Sequence, residues 1–159
     1  MSTSVPVQFY SAFGRRDWKA MGALYADDAV FNDPAFADLN AARVRAMWRM
    51  LITRGKDLAV VYEVLADTPT EARTRWTATY TFSQTGRKVT NVITATMQLR
   101  DGRIVRHTDH FDFHKWSSQA LGPIGLVLGW TGWLRGKVRR KATASLSEFM
   151  RKLNSQGPS

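Results

Sequence analysis

The hydrophobic period of this chain changes from helical to two at Gly55, and that change constrains the fold more than any other feature. Before it, apolar residues recur with a helical spacing. Phe9, Tyr10 and Phe13 form one stripe ahead of Gly14, and Asp17 is placed to cap a second helix with Trp18, Met21, Leu24 and Tyr25 on its buried face. Val30 and Phe31 read as a short strand, after which Pro34 forces Asp33 into an extended conformation. Val44, Met47, Trp48, Leu51 and Ile52 give a third helix, with Gly55 as its stop. After Gly55 the period is two. Strands are expected over 58–65, 71–82, 89–99 and 103–113, with turns at Asp67-Thr68-Pro69, Thr85-Gly86 and Asp101-Gly102. Trp76, Ala78, Tyr80 and Phe82 share one face of the second of these strands. Val89, Ile93, Ala95, Met97 and Leu99 share one face of the third. Helices followed by an antiparallel meander is an α+β pattern. Each strand has one apolar face to cover, so the simplest packing curls the sheet around the three N-terminal helices.

The end of the chain is different. Residues 121–134 are mostly apolar but are broken by Gly122, Pro123, Gly125, Gly129 and Gly132. The run is too short for a transmembrane helix, which takes about 20 residues. An extra C-terminal helix follows, basic, with Val138, Ala142, Leu146, Phe149, Met150 and Leu153 at helical spacing. The expected organisation is one domain over residues 1–115, with an apolar segment and basic helix over 116–159 packed on it.

Charge narrows the partners. The 23 Lys and Arg against 13 Asp and Glu give a formal charge of +10. Much of the excess follows His114, where Lys115, Arg135, Lys137, Arg139, Arg140, Lys141, Arg151 and Lys152 face only Glu148. The field belongs to the tail, and no nucleic-acid-binding motif accompanies it, so nucleic acid is not the expected partner. The apolar run and the basic stretch after it suit three roles: closing a pocket, covering a dimer interface, or resting on a membrane surface. There is no cysteine, which excludes disulfides, thiolate metal sites and cysteine nucleophiles. The glycines of the tail lack the GxGxxG spacing of a dinucleotide loop, and no Gly-x-Ser-x-Gly elbow occurs. No cofactor is expected. The opening MSTSVPVQF has no basic region followed by an apolar one, so a cytoplasmic location is expected.

Two strings carry a resemblance. One is Leu24-Tyr25-Ala26-Asp27-Asp28-Ala29-Val30-Phe31-Asn32-Asp33-Pro34. The other is Asp101-Gly102-Arg103-Ile104-Val105-Arg106-His107-Thr108-Asp109-His110-Phe111-Asp112. With the order of elements, they resemble the nuclear transport factor 2-like superfamily, which includes SnoaL-like and ketosteroid isomerase-like proteins. The similarity runs from about Phe9 to about Gly122. It implies a cone: a bent sheet wrapped round three helices, with an apolar pocket inside and a homodimer formed through the outer sheet face. In the steroid isomerases the Asp before the Pro of the first string is the general base, which falls here on Asp33. Their oxyanion-hole Tyr falls on Phe9, next to Tyr10, and their protonated Asp falls on or near Ala95. The resemblance therefore points away from a true steroid isomerase. The family's usual Gly-Arg-Glu before the third helix is replaced by Asn40-Ala41-Ala42.

The candidate catalytic residues are Asp33, His107 and Asp109. Apolar walls would raise the Asp33 carboxyl toward a working range for a base. A surface turn aspartate before Pro34 is the plainer reading. The last expected strand holds His107, His110 and His114. Alternation puts Val105, His107, Asp109, Phe111 and Phe113 on one face, the more apolar, and Thr108, His110, Asp112 and His114 on the other. His107 and Asp109 then face inward together, as an acid/base pair or as a hydrogen-bonded core pair. Some dehydratases of the superfamily use an Asp and a His in such a pocket. A metal on His110, Asp112 and His114 would lack a further ligand, so no metal site is expected. Phe9, Tyr10, Trp18, Trp48, Trp76, Tyr80 and Phe111 are the expected ligand-binding wall. The expected function is cofactor-free acid/base chemistry of isomerase, cyclase, dehydratase or epoxide hydrolase type on a small hydrophobic molecule. The alternative is a non-catalytic carrier of an apolar metabolite or lipid, with membrane association through the tail.

Overall fold

Local signals set the first helices. In the computed structural model, which describes residues 3–156, α1 (Val5–Gly14) starts with Pro6 in its first turn, where a missing N–H costs nothing. Helix α2 (Trp18–Ala23) is capped by the Asp17 side chain, which accepts from the Ala20 N–H at 3.0 Å. Helix α3 (Ala41–Arg54) is capped in the same way by Asn40, 2.9 Å from the Arg43 N–H. The Arg16 guanidinium donates to the carbonyls of Ile52 and Gly55, satisfying the open C-terminus of α3.

The strands are β1 (Tyr25–Asn32), β2 (Leu39–Asn40), β3 (Ala59–Asp67), β4 (Glu71–Phe82), β5 (Arg87–Arg100) and β6 (Arg103–His110). They form one sheet in the order β2-β1-β6-β5-β4-β3. The β5–β6 hairpin turns on Asp101 and Gly102, both with positive φ, as the Asp-Gly pair predicts. The mixed α+β architecture with a curved sheet against N-terminal helices is the expected one.

Four expectations fail in detail. The meander of four strands is extended by β1, which runs parallel to β6, and by the short β2. Tyr25 opens β1 rather than closing α2, because a bulge between Tyr25 and Val30 leaves Asp27 and Asp28 exposed and breaks the alternation that marks a strand. The last strand stops at His110: Asp112 accepts from the Lys115 N–H at 3.0 Å and starts α4 (Phe113–Leu121), so His114 is helical and shares no strand face with His110. An irregularity at Leu99 also pairs that residue with Ile104, so Ile104 is buried in place of Val105.

The tail continues as α5 (Pro123–Leu128) and α6 (Gly132–Ser155). Leu146 of α6 is fully buried in the main core, with Ala142, Phe149 and Met150 packed against that core. A second cluster is built from Val89, Phe113, Trp116, Ala120 and Leu134. Tyr80 and Phe111 pack against both clusters, so the C-terminal unit sits against the open side of the sheet.

Candidate active site at the rim of the cone

The site follows from strand register. In the parallel pairing of β1 with β6, Phe31 lies beside His107 and Asn32 beside Thr108. The pairing ends there, and Asp33 follows it near enough to Asp109 for the charge of that carboxylate to be felt at its own carboxyl. Across the antiparallel pairs, Asp109 lies beside Ala95, and Ala95 beside Thr74. A small residue thus stands where the superfamily resemblance places an acid, and the acid stands on the neighbouring strand.

His107 is fully buried and Asp109 nearly so. His107 Nε2 lies 2.8 Å from Asp109 Oδ1, and Nδ1 lies 2.7 Å from the Tyr25 hydroxyl. Trp48 Nε1 donates to that hydroxyl at 2.9 Å. One set of donors satisfies every member: Trp48 N–H to Tyr25 Oη, Tyr25 O–H to Nδ1, and Nε2–H to Asp109. The chain is wholly interior and holds the imidazole in one orientation. It occupies only Oδ1 of Asp109.

Asp33 is placed by its own turn. Its Oδ1 accepts from the N–H groups of Ala35 and Phe36, both at 2.7 Å, an arrangement Pro34 favours by fixing the backbone before it. Burial nevertheless pushes its carboxyl up from an ordinary 3.8 to about 7, aided by the negative charge of Asp109 and opposed by the two backbone bonds and by His107. The phenol of Tyr10 is also raised well above its usual value, first by burial and then by Asp109.

The expected wall divides into three groups. Phe9, Tyr10, Trp48 and Trp76 are buried and in ring contact with one another, with centroids 5.0 Å apart for Phe9–Tyr10, 5.7 Å for Phe9–Trp48 and 6.2 Å for Trp48–Trp76. These rings pack against one another inside the cone. Tyr80 and Phe111 are half-buried and, with Asp33, mark the rim where the cluster meets solvent. Trp18 belongs to neither: it packs half-buried against the outer side of the core, under the Arg49 guanidinium at 4.2 Å, in a surface depression of about 470 Å³ bordered by Arg45, Arg103 and Leu153. Its periodicity marked a face packed between helices.

The side chains that the sequence alone did not place at the site are Tyr25, Trp116 and Arg139. Tyr25 joins the site because β1 pairs with β6. The buried Tyr10 hydroxyl and Trp76 Nε1 have no hydrogen-bond partner among the described residues, which is costly for a polar group unless it serves a bound molecule. The C-terminal unit is fastened to the rim on two sides. Trp116 Nε1 donates to the Tyr80 hydroxyl at 2.8 Å, and Arg139 Nε donates to the Pro34 carbonyl at 3.0 Å, next to Asp33. Among the described residues no cluster of His, Asp and Glu is arranged to hold a metal ion.

A family model for the SnoaL-like domain matches residues 7–107. The chain belongs to the SnoaL-like domain family. The matched range covers α1 through His107 and ends before α4–α6. The SnoaL-like architecture is shared with solved structures. An LEH-like epoxide hydrolase of M. tuberculosis superposes with a TM-score of 0.58 at 19% identity, over 78% of this chain and 90% of that one. IdmH of Streptomyces antibioticus, provisionally a polyketide cyclase, gives 0.61 at 23% identity, over 72% of this chain and 94% of that one. A protein of ketosteroid isomerase-like fold from Catenulispora acidiphila gives 0.63 at 11% identity, over 77% and 96%. At these identities the likeness is one of fold. No curated protein matches this SnoaL-like chain in sequence.

Proposed function

We propose that this SnoaL-like protein performs cofactor-free acid/base chemistry on a small hydrophobic compound, with Asp33 and Asp109 as the proton-transferring pair. The observation that carries the reading is Asp33 itself, a half-buried rim carboxyl pushed to about 7 by burial and by Asp109. Such a group is present in both forms at neutral pH, so it takes a proton from carbon or water and returns it to oxygen without a large mismatch. His107 has both ring nitrogens engaged, and its part is to hold Asp109 in place. The unpartnered Tyr10 hydroxyl is a donor for a substrate oxygen on which charge develops. Isomerisation, cyclisation, dehydration and epoxide opening all use this pair of proton transfers. The epoxide hydrolase and cyclase among the similar folds favour that range.

The test is a panel of enolisable apolar ketones in deuterated water and of alkyl epoxides, read by NMR. Wild type is expected to exchange or open at least one class, and Asp33→Asn to lower that rate by about 10²–10⁴-fold. An unchanged rate in Asp33→Asn rejects the assignment. A second reading, a non-catalytic carrier of an apolar metabolite, is favoured by Phe9 and Ala95 at the two donor positions of the steroid isomerases. Native mass spectrometry of freshly purified protein would then show a retained ligand. A homodimer fits the exposed Val61 and Val92, which flank Thr77 on the outer sheet face, and light scattering reads it directly.

A further inference from the structure

Helix α5 is amphipathic the wrong way round. It docks on α4 through Gly125 and Gly129, and Leu128 is the one large side chain of the helix that packs inward, against the second cluster. A Cβ at Gly125 would fall 1.8 Å from the Ser117 carbonyl oxygen, and one at Gly129 would fall 2.4 Å from Ser117 Oγ. The two backbones are therefore in direct contact, reinforced by His114 Nε2 donating to the Leu126 carbonyl at 3.0 Å. The consequence is that the apolar side chains of this segment face solvent: Ile124 is 60% exposed, Leu126 59%, Val127 70%, Trp130 70% and Trp133 58%. A helix that packs through its glycines and holds Ile124, Leu126 and Val127 outside, beside the exposed Trp130 and Trp133 that follow it, is covered by something apolar.

Charge identifies the cover. Between Asp112 and Glu148 the chain has no acidic residue, while Lys115, Arg135, Lys137, Arg139, Arg140 and Lys141 all lie in that stretch. None of these six forms a salt bridge among the described residues. Two of them touch the apolar face directly or through one ring. The Lys137 ammonium lies 5.2 Å from the Trp133 ring, and Lys115 shares a depression of about 650 Å³ with Arg87 and with His114, whose ring stacks on Trp130 at 3.8 Å. A second copy of this chain would bring the same cations against one another. No helix among the described residues is long and apolar enough to cross a membrane. Exposed aliphatic side chains, tryptophans at their border and surrounding cations are the arrangement that rests in the interface of an anionic bilayer.

We propose that the α5 face, with the start of α6, docks this protein on an anionic membrane surface by inserting Ile124, Leu126, Val127, Trp130 and Trp133 between lipid headgroups. The proposal does not depend on the acid/base reading. It also gives the C-terminal unit two sides with distinct tasks: an inner one latched to the rim beside Asp33, and an outer one for lipid.

Flotation and tryptophan fluorescence of the full chain with phosphatidylcholine vesicles, with and without phosphatidylserine, test it. Wild type is expected to bind the phosphatidylserine vesicles with a blue-shifted emission and to be released by salt. The triple variant Leu126→Ser, Val127→Ser, Trp130→Ser changes only exposed side chains, so its circular dichroism should match wild type. Its partitioning is expected to fall by about a hundredfold or more. Lys115→Gln with Lys137→Gln should lower partitioning by about twentyfold and only on anionic vesicles. Failure of wild type to bind anionic vesicles overturns the proposal, as does equal binding by the triple variant. A dimer in light scattering that the triple variant makes monomeric, without lipid binding by either, also overturns it and assigns the face to a second copy.

Discussion

Asp33→Asn should make the protein more stable while removing its proposed activity, and the gain should depend on pH. Asparagine keeps the Oδ1 acceptor that serves the Ala35 and Phe36 N–H groups and keeps the volume, so the turn before Pro34 is preserved. What it removes is the ionisation. The folded protein binds the Asp33 proton more tightly than the unfolded chain does, from an ordinary 3.8 up to about 7. The stability held by that proton is complete below the unfolded value and is lost as the pH rises through about 7. The gap between the two values corresponds to about 4 kcal/mol of bias toward the protonated form. Water at the half-buried rim trims this, so the variant should gain about 2–4 kcal/mol at pH 8 and close to nothing at pH 4. For a chain of this size that is about 5–15 °C in Tm. Urea unfolding of both proteins at the two pH values measures it. A variant that is less stable at pH 8, or that differs from wild type equally at both pH values, refutes the desolvated-carboxyl reasoning.

Tyr25→Phe should destabilise by about 1–3 kcal/mol in urea unfolding, because it leaves the buried Trp48 N–H and one His107 nitrogen without partners. Gly125→Ala forces a Cβ into the Ser117 carbonyl, so amide exchange should quicken across α4 and α5 while the β4–β5 pairing stays protected.

How much of this was legible depends on the range of the interaction. The helix over Ala41–Arg54 and the strand over Glu71–Phe82 were readable because each repeats one period for its whole length under local caps and turns. The Asp-Gly hairpin was readable because only a few residue types adopt its positive φ values. Strand β1 was shortened in the reading because its bulge at Asp27 and Asp28 interrupts the pattern. Losing it hid the parallel pairing with β6, and with it the reason the Asp109 charge is felt at Asp33 and Tyr25 meets His107. Alternation put His107 and Asp109 on the inner face, yet the extension of that strand to Phe113 missed the cap that Asp112 supplies to α4. The aromatic residues were correctly apolar-facing, but periodicity does not distinguish a ring that lines a space from one that fills it. Trp18 shows the further case of a ring that packs outside the cone.

Asp33 sits where burial and the charge of Asp109 act on its carboxyl together. Carbon-detected NMR titration of Asp33 in wild type and in Asp109→Asn tests this most directly. The expected result is a wild-type midpoint of about 7 that moves downward when the Asp109 charge is removed. A midpoint near 4 in wild type, or one that Asp109→Asn leaves in place, would contradict it.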